Sequence, residues 1–421
     1  MLYERWRIVA GKNRDRAALR SPAENRAWTF AELADEVESL PPTDDEVVFP
    51  SGGGSSFILE TLRAWRDGRV LCPLEKGQQP PRIAGLPEEI RHVKSTSGTT
   101  GAPRLIAFTE EQMAADAENI VATMGLTPDS PNLGVISLAY SYGFSNLVLP
   151  LALHGIPLVL APAPLPETVR AALLTGGNWT LPAVPALWQT WRDTGVIADN
   201  IRVAISAGAP LPIELERSVF RESGLKIHNF LGSSECGGIA YDRTDAPRKD
   251  AADVGTAMEN VRVTTAEDGR LSVSSRAVAS TYWPDHDPQL ANGVFILGDL
   301  AEIHDGSIRL LGRSGDRINV AGRKVSPESI ERALLTHPAV TACLVFGIPA
   351  SATGRNEEIV AVVAGAEELK EDLKRHLAPE LPAWQTPRHW NFVAELKPNA
   401  RGKLPRAEWR RRFLESRANE A

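Results

Sequence analysis

Ser95-Thr-Ser-Gly-Thr-Thr-Gly-Ala-Pro-Arg104 alternates hydroxyl residues with glycines and ends on a cation. Backbone N–H groups and Ser/Thr hydroxyls in such a run can wrap phosphate oxygens. Glycine permits the close approach. The run is not a Walker A loop, because no Gly-Lys-Ser/Thr closes it. Standing alone it is as readily an ordinary loop, so its weight depends on what surrounds it.

Downstream, short apolar segments recur: Gly134–Ala139, Pro157–Ala161, Trp179–Leu181, Arg202–Ser206 and Lys226–Phe230. Small-residue loops or helical patterns such as Pro185–Arg192 follow them. This spacing predicts βα units around a parallel sheet. Ligands of such sheets bind at the carboxyl ends of strands. Val261–Thr265, Arg270–Ser275, Val294–Leu297 and Ser307–Leu311 read instead as an antiparallel β region with Asp-Gly turns. After Asp316 come a strand (Ile318–Val320), a helix (Ser326 to about Thr336), strands at Val340–Gly347 and Ile359–Ala364, and a helix from near Glu367. That is a compact α+β unit. Upstream, Thr29 is placed to cap a helix over Ala31–Leu40, and Phe57–Trp65 reads as a second helix.

Composition is that of an ordinary globular chain: 421 residues, 43% hydrophobic and 24% charged. The 46 basic and 53 acidic residues leave a net charge of −7, a poor match to nucleic acid. From Asp316 to the end there are 17 basic and 14 acidic residues, so a net +3 piece follows a body of −10. Such a piece could bring cations to an anionic ligand, or be an ordinary solvated surface. The three cysteines, Cys72, Cys236 and Cys343, have no metal-ligand spacing and imply no disulfide framework, which suits a cytoplasmic location. The first residues lack an apolar core for a signal peptide. Leu147–Pro164 is the most apolar stretch, but four prolines and His154 argue against a membrane helix.

Four further motifs follow the first. Leu231-Gly-Ser-Ser-Glu235 ends on a carboxylate after a strand, a candidate Mg²⁺ ligand. Asp299 stands at the end of a predicted strand, where it can accept hydrogen bonds from both hydroxyls of a ribose. Gly312 to Glu331 is rich in Gly, Arg and Asp, and Pro398-Asn-Ala-Arg-Gly-Lys-Leu-Pro-Arg406 places Lys403 in a Gly-flanked loop.

In this order the five motifs resemble the adenylate-forming superfamily of acyl- and aryl-CoA synthetases, carrier-protein adenylation domains and luciferases. The resemblance runs from about Ser95 to Arg406, roughly three quarters of the chain. It implies an α/β fold, with a large N-terminal domain (1–314) of βα-type sheets and a β-rich subdomain. A small mobile α+β C-terminal domain (315–421) would follow. It implies that Thr96, Ser97, Gly98, Thr99, Thr100 and Gly101 hold the β- and γ-phosphates of ATP, with Arg104 beside them. Gly208 and Ala209 would lie against adenine, Ser234 would touch the α-phosphate, and Glu235 would hold Mg²⁺. Asp299 and Arg313 would bind the ribose. Lys403 would bridge the reacting carboxylate and the α-phosphate, Asn319 to Val325 would line a thiol tunnel, and Gly315 would be the hinge.

The sequence departs from the pattern in five places. Arg104 replaces the usual lysine, keeping the charge but changing its geometry. Leu231 replaces an aromatic, weakening stacking on adenine. Tyr140 stands where many acyl-CoA members carry His, and Gly315 where the hinge is usually Asp. The region 1–93 ahead of the phosphate loop is short for the family.

The segments expected to line the acid pocket, Tyr140–Asn146, Val184–Trp188, Ala207–Ala209 and Cys236–Ala240, carry no Asp, Lys or Arg. Tyr140, Phe144, Val184, Gly208, Leu231 and Gly237 are the pocket residues they supply. Members that activate amino acids carry an Asp near Ser141-Tyr142-Gly143, so an uncharged aryl or acyl acid is favoured here. The expected reaction is ATP-dependent activation of that acid and transfer to a pantetheine thiol, with CoA first. A carrier protein acting in trans is second, since no fused carrier domain follows Arg406. A non-catalytic nucleotide-binding homologue is the reading from outside the enzyme class. Neither nucleic acid nor membrane is expected as a partner.

Overall fold

The structure is a computed structural model. It describes residues 1–95, 104–161, 163–284, 288, 290, 292–320, 322–350, 357–397 and 404–420, without the side chains of 418–420. Thr96 to Gly101 and Lys403 therefore lie outside the described residues. By packing, the chain divides into two units. The first takes residues 1–264, 272–296 and 305–308; the second takes 265–271, 297–304 and 309–421.

The first unit contains the expected parallel sheet. Strands Ile227–Ser233, Ile201–Ser206, Trp179–Ala183, Asn132–Gly134, Leu158–Leu160 and Ala17–Ser21 lie side by side and parallel. Arg26–Thr29 closes one end antiparallel, and Gly237–Tyr241 then Asp253–Ala257 extend the other. Helices Pro166–Leu173, Pro185–Asp193 and Ile213–Ser223 pack on it through Leu173, Trp188, Trp191, Leu215 and Val219. Burying these large apolar faces is the main stabilising term. A second sheet runs Thr281–Trp283, Leu105–Phe108, His92–Ser95, Val70–Leu71 and Val47–Val48. The phosphate-loop motif joins two neighbouring antiparallel strands of this sheet.

Thr29 caps the helix Phe30–Ser39 in a reciprocal box with Glu32, as its position predicts. Thr109 and Gln112 do the same for Glu110–Met124. The first strand after Leu133 is displaced from its expected place. It covers Asn132–Gly134 and not Gly134–Ala139. The Ser137 hydroxyl accepts from the Ala139 N–H at 3.2 Å, a local turn that takes the backbone out of the ladder. The chain then folds back so closely that a Cβ on Gly143 would meet the Ser137 carbonyl oxygen at 1.9 Å. Phe144–Val148 follows as a π-helical turn, a feature that often marks functional sites.

Two expected loops are strand. Leu231-Gly-Ser continues the strand to Ser233, paired with Ala240, Gly238 and Gly237. Asp299 lies in the middle of the strand Val294–His304, not at its end. In both cases the antiparallel partner, invisible in the local pattern, extends the strand.

In the second unit, Cys343–Pro349, Glu357–Ala364 and His389–Val393 form a three-stranded sheet. Alternation along the first strand sends Val345 to one apolar layer with Ile330, Leu334 and Leu373, and Leu344 and Phe346 to another with Val360 and Leu396. Helices Pro327–Leu335, Lys370–Leu377 and Arg406–Glu420 and the ribbon Ile318–Val320/Arg323–Val325 complete it. Gly315 lies inside this unit, in the short turn Ser314–Asp316. Among the described residues no helix is long and apolar enough to cross a membrane.

Candidate active site

The hairpin Ile227–Ser233/Gly237–Tyr241 presents Ser234 and Glu235 at its tip. Its base is anchored by a buried ionic cluster in which Lys226 pairs with Glu216 and Asp242, and Arg248 pairs with Glu216 at 3.0 Å. At the tip the Ser233 hydroxyl accepts from the Cys236 N–H at 3.1 Å. The Glu235 carbonyl accepts from the Ala279 N–H at 2.8 Å. That contact draws in the chain leading to Thr281–Trp283, which pairs antiparallel with Leu105–Phe108.

Tyr282 is thereby placed between two motif residues. Its hydroxyl donates to Glu235 Oε1 at 3.0 Å. Its ring lies under the exposed Arg104, whose guanidinium carbon is 3.9 Å from the ring centroid, a cation–π distance. Nothing in the sequence marks Tyr282; a Thr-Tyr-Trp strand reads as core. Glu235 is fixed through one carboxylate oxygen. Oε2 has no hydrogen bond among the described residues, which suits Mg²⁺, a hard cation taking few protein carboxylates.

Asp299 and Arg313, 14 positions apart, come together as an ion pair at 3.7 Å, Arg313 Nε to Asp299 Oδ1. Gly208 and Ala209 follow the strand Ile201–Ser206, and a Cβ on Gly208 would stand 3.5 Å from Val184 Cγ1. Val184 itself precedes the helix Pro185–Asp193. Leu231 is opposite Ala240 in the hairpin, and Tyr140 is partly exposed ahead of the helix Ser141–Gly143.

Phe144 is buried and packs against His92 at 4.7 Å and Phe57 at 6.4 Å, so it belongs to a packed layer. Tyr142 reaches the parallel sheet instead. Its hydroxyl donates toward the Ala183 and Ile205 carbonyls at 3.3 and 3.4 Å, at the ends of two parallel strands. Its ring centroid is 5.8 Å from that of Phe230.

Gly237 has φ +68, and a Cβ there would lie 2.1 Å from Asp116 Oδ1. A glycine is required on both counts. Asp116 comes from the helix Glu110–Met124 and is buried. It accepts from Gly238 N–H at 3.0 Å and from the Ser145 hydroxyl at 2.5 Å. A charged residue therefore does adjoin the expected pocket segments, supplied by an element outside them. Both of its oxygens already accept a hydrogen bond from the protein. Lys94, two residues before the phosphate loop, is also buried, within the electrostatic reach of Asp116 and Glu235. Burial lowers its ammonium from the ordinary value, and the two carboxylates oppose that shift. Burial pushes the Cys236 thiol up to about 12, so it is no nucleophile. A depression of about 550 Å³ bordered by Arg262 and Arg276 is lined by none of these residues.

The AMP-binding enzyme family matches residues 64–283, and the C-terminal domain of the same family matches 329–403. The chain belongs to this family. Feruloyl-CoA synthase of Amycolatopsis sp is 27% identical over 381 residues, covering 84% of this chain and 77% of that one. The 4-hydroxybenzoate/benzoate–CoA ligase of Rhodopseudomonas palustris is 27% identical over 367 residues, covering 80% and 67%. Among solved structures, ATP-bound MatB from Rhodopseudomonas palustris superposes with a TM-score of 0.83 at 19% identity, covering 98% of this chain and 99% of that one. The fold is thus that of this AMP-binding enzyme family. The protein is an AMP-forming acid–thiol ligase: it activates a carboxylic acid with ATP and transfers the acyl group to a thiol.

Proposed function

We propose that this ligase activates an aromatic monocarboxylic acid without a charged α-substituent and delivers it to CoA. The observation that carries the reading is the joint placement of Glu235 and Arg104 on Tyr282. The side chain of Tyr282 meets both the carboxylate proposed for Mg²⁺ and the cation proposed for phosphate. Mg²⁺, when bound, would neutralise phosphate charge. Ser234 meets the α-phosphate, Thr96 to Gly101 and Arg104 hold the outer phosphates, Gly208 and Ala209 border adenine, and Asp299 with Arg313 takes the ribose. Lys403 neutralises the carboxylate as it attacks the α-phosphate and pyrophosphate leaves. The thiol then attacks the acyl carbon and AMP leaves. The protein's part is positioning and charge stabilisation more than covalent chemistry.

The aromatic preference is supported by the Tyr142 and Phe230 rings, 5.8 Å apart, with Phe230 on the hairpin strand that pairs with Gly237–Tyr241. The two aryl-acid ligases among the relatives point the same way. Pyrophosphate release across benzoates, cinnamates, fatty acids and amino acids tests the acid. Turnover with CoA against a holo-carrier protein tests the acceptor. Faster exchange with amino acids than with aryl acids would reject the first part, and faster loading of the carrier would reject the second.

A further inference from the structure

We infer that Asp116 is a positioning residue for the adenylation step: it braces the hairpin that carries Ser234 and Glu235, and so sets where the carboxylate for Mg²⁺ stands. This rests on the role proposed for Glu235 above.

The tip of the hairpin is held at Glu235 by Tyr282 and by the Ala279 N–H. The strand that leaves the tip, Gly237–Tyr241, is held by Asp116. Its register against Ile227–Ser233 shifts between Leu231 and Gly232, which pair with Ala240 and Gly238. Ile239 is therefore the extra residue of a bulge, a feature that re-aims neighbouring groups and recurs beside active sites. Next to it the Gly238 N–H donates to Asp116 Oδ1 at 3.0 Å. The backbone of Gly237 lies so close that a Cβ would stand 2.1 Å from the same oxygen.

Asp116 is itself fixed. It is 2% exposed, and a carboxylate so buried persists only where donors meet its charge. The buried Ser145 hydroxyl donates to Oδ2 at 2.5 Å, which orients the group and leaves Oδ1 to the hairpin. Ser145 belongs to the π-helical turn Phe144–Val148. That turn is anchored in the parallel sheet, because Asn132 of the strand Asn132–Gly134 donates to the Asn146 carbonyl at 3.0 Å. The Asn146 side chain donates in turn to the Tyr142 carbonyl at 3.0 Å. A buried polar chain thus runs from the sheet through the π-helical turn and Asp116 to Gly238, on the strand that follows Glu235. Such bracing matters for rate, since misplacing a catalytic group by about 1 Å can cost on the order of 10²-fold.

The test follows MgATP affinity by calorimetry and pyrophosphate release with benzoate or cinnamate, whichever turns over faster. The variants are Asp116→Ala, Asp116→Asn, Gly237→Ala, Asp116→Ala/Gly237→Ala, Ser145→Ala and Glu235→Gln. Asp116→Ala should lower MgATP affinity about tenfold and kcat/KM for MgATP by about 10- to 100-fold. KM for the acid should stay within about threefold, and the affinity loss should shrink when Mg²⁺ is chelated. A residue that only stabilises the fold would lower the melting temperature and the active fraction, leaving KM for MgATP unmoved. Asp116→Asn should recover most of the loss, because its amide oxygen still accepts from Gly238 and its nitrogen can donate to the Ser145 oxygen. Gly237→Ala pushes the hairpin off Asp116, and in the double variant that clash is gone. The double loss should be at least about tenfold smaller than the product of the single losses. Losses that simply multiply overturn the inference, as does an unchanged kcat/KM for MgATP in folded Asp116→Ala. If Asp116→Ala does not fold, Ser145→Ala decides: KM for MgATP should rise about threefold or more, and no rise overturns the inference. Impaired Glu235→Gln beside unaffected Asp116 and Gly237 variants rejects this inference alone. Glu235→Gln as active as the wild type rejects the role of Glu235 and this inference with it.

Discussion

The Tyr282 hydroxyl donates to Glu235 Oε1 at 3.0 Å across 47 residues of chain, and it fixes the rotamer of the carboxylate proposed to meet Mg²⁺. Tyr282→Phe keeps the ring that carries Arg104 and removes the hydroxyl that makes this bond. Hydrogen bonds to charged groups contribute about 1.5–3 kcal/mol. KM for MgATP should rise about tenfold, with the melting temperature little changed and KM for the acid unaffected. Steady-state kinetics at saturating acid would show it, and an unchanged KM for MgATP would make the contact incidental.

Glu235→Gln tests the ligand itself. The amide keeps the size and still accepts from Tyr282, but it removes the anionic ligand. Adenylation should fall by on the order of 10²–10³, with partial recovery as Mg²⁺ is raised. If acid binding is lost as well and Mg²⁺ restores nothing, the residue supports the hairpin and does not bind metal.

Gly315 has no positive φ, and a Cβ there would meet nothing within 4 Å. Gly315→Ala should therefore leave this conformation intact, stabilising it by at most about 0.4–1 kcal/mol through the unfolded chain. If Gly315 is the hinge, alanine restricts the second conformation it must reach. Single-turnover kinetics should then show adenylation preserved and thioester formation slowed. Equal rates for both half-reactions would remove Gly315 from the hinge.

Arg406 binds Asp316 at 2.5 Å, Glu328 at 3.0 Å and Glu331 at 2.9 Å, and donates to the Val345 carbonyl at 2.9 Å. It closes the second unit around three carboxylates. Arg406→Met should destabilise that unit by about 1–3 kcal/mol, because three partly buried carboxylates lose their counter-charge. Arg406→Met/Glu331→Gln should recover part of the loss. Hydrogen exchange along Cys343–Pro349 reports it. Unaltered exchange would show that the apolar layers alone hold the unit.

Burial, assisted by the charge of Lys94, holds the His92 imidazole well below its ordinary value of 6.5. The folded protein keeps it neutral while the unfolded chain takes up a proton below that value. Stability is therefore full above about pH 6.5 and is lost as pH falls from there toward the folded value. In His92→Phe the decline between about pH 6.5 and pH 5 should be shallower. It should not vanish, because burial also lowers His154 and His228. Urea unfolding at several pH values checks this, and identical slopes would mean that His92 titrates normally in the folded state.

Much of the fold could be read along the chain, because its determinants are local. Thr29 and Glu32, three positions apart, cap the helix Phe30–Ser39, and Trp179–Ala183 is an apolar run ahead of a Pro-initiated helix. Legibility failed where a partner strand or a side-chain turn intervened. Ser137 diverts the backbone after Gly134, and Gly237–Tyr241 converts Leu231-Gly-Ser from loop to strand. The candidate site divides in the same way. Glu235, Asp299 and Arg313 stand out by residue type and spacing. Tyr282 and Asp116 do not, since a tyrosine in a short strand and an aspartate within a helix have no local signature.

The order of the five motifs and the alternation of strands with helices are enough to establish the family and the reaction, because each is written in neighbouring residues. The surroundings of the chemistry come from packing between distant elements. Asp116, Ser145 and Gly238 meet only where the helix Glu110–Met124, a π-helical turn and a hairpin converge. Side-chain charge is carried by the residue, but its burial and its partners belong to the fold. For that reason the sequence reads segments without Asp, Lys or Arg, and the tertiary structure sets the buried Asp116 against them.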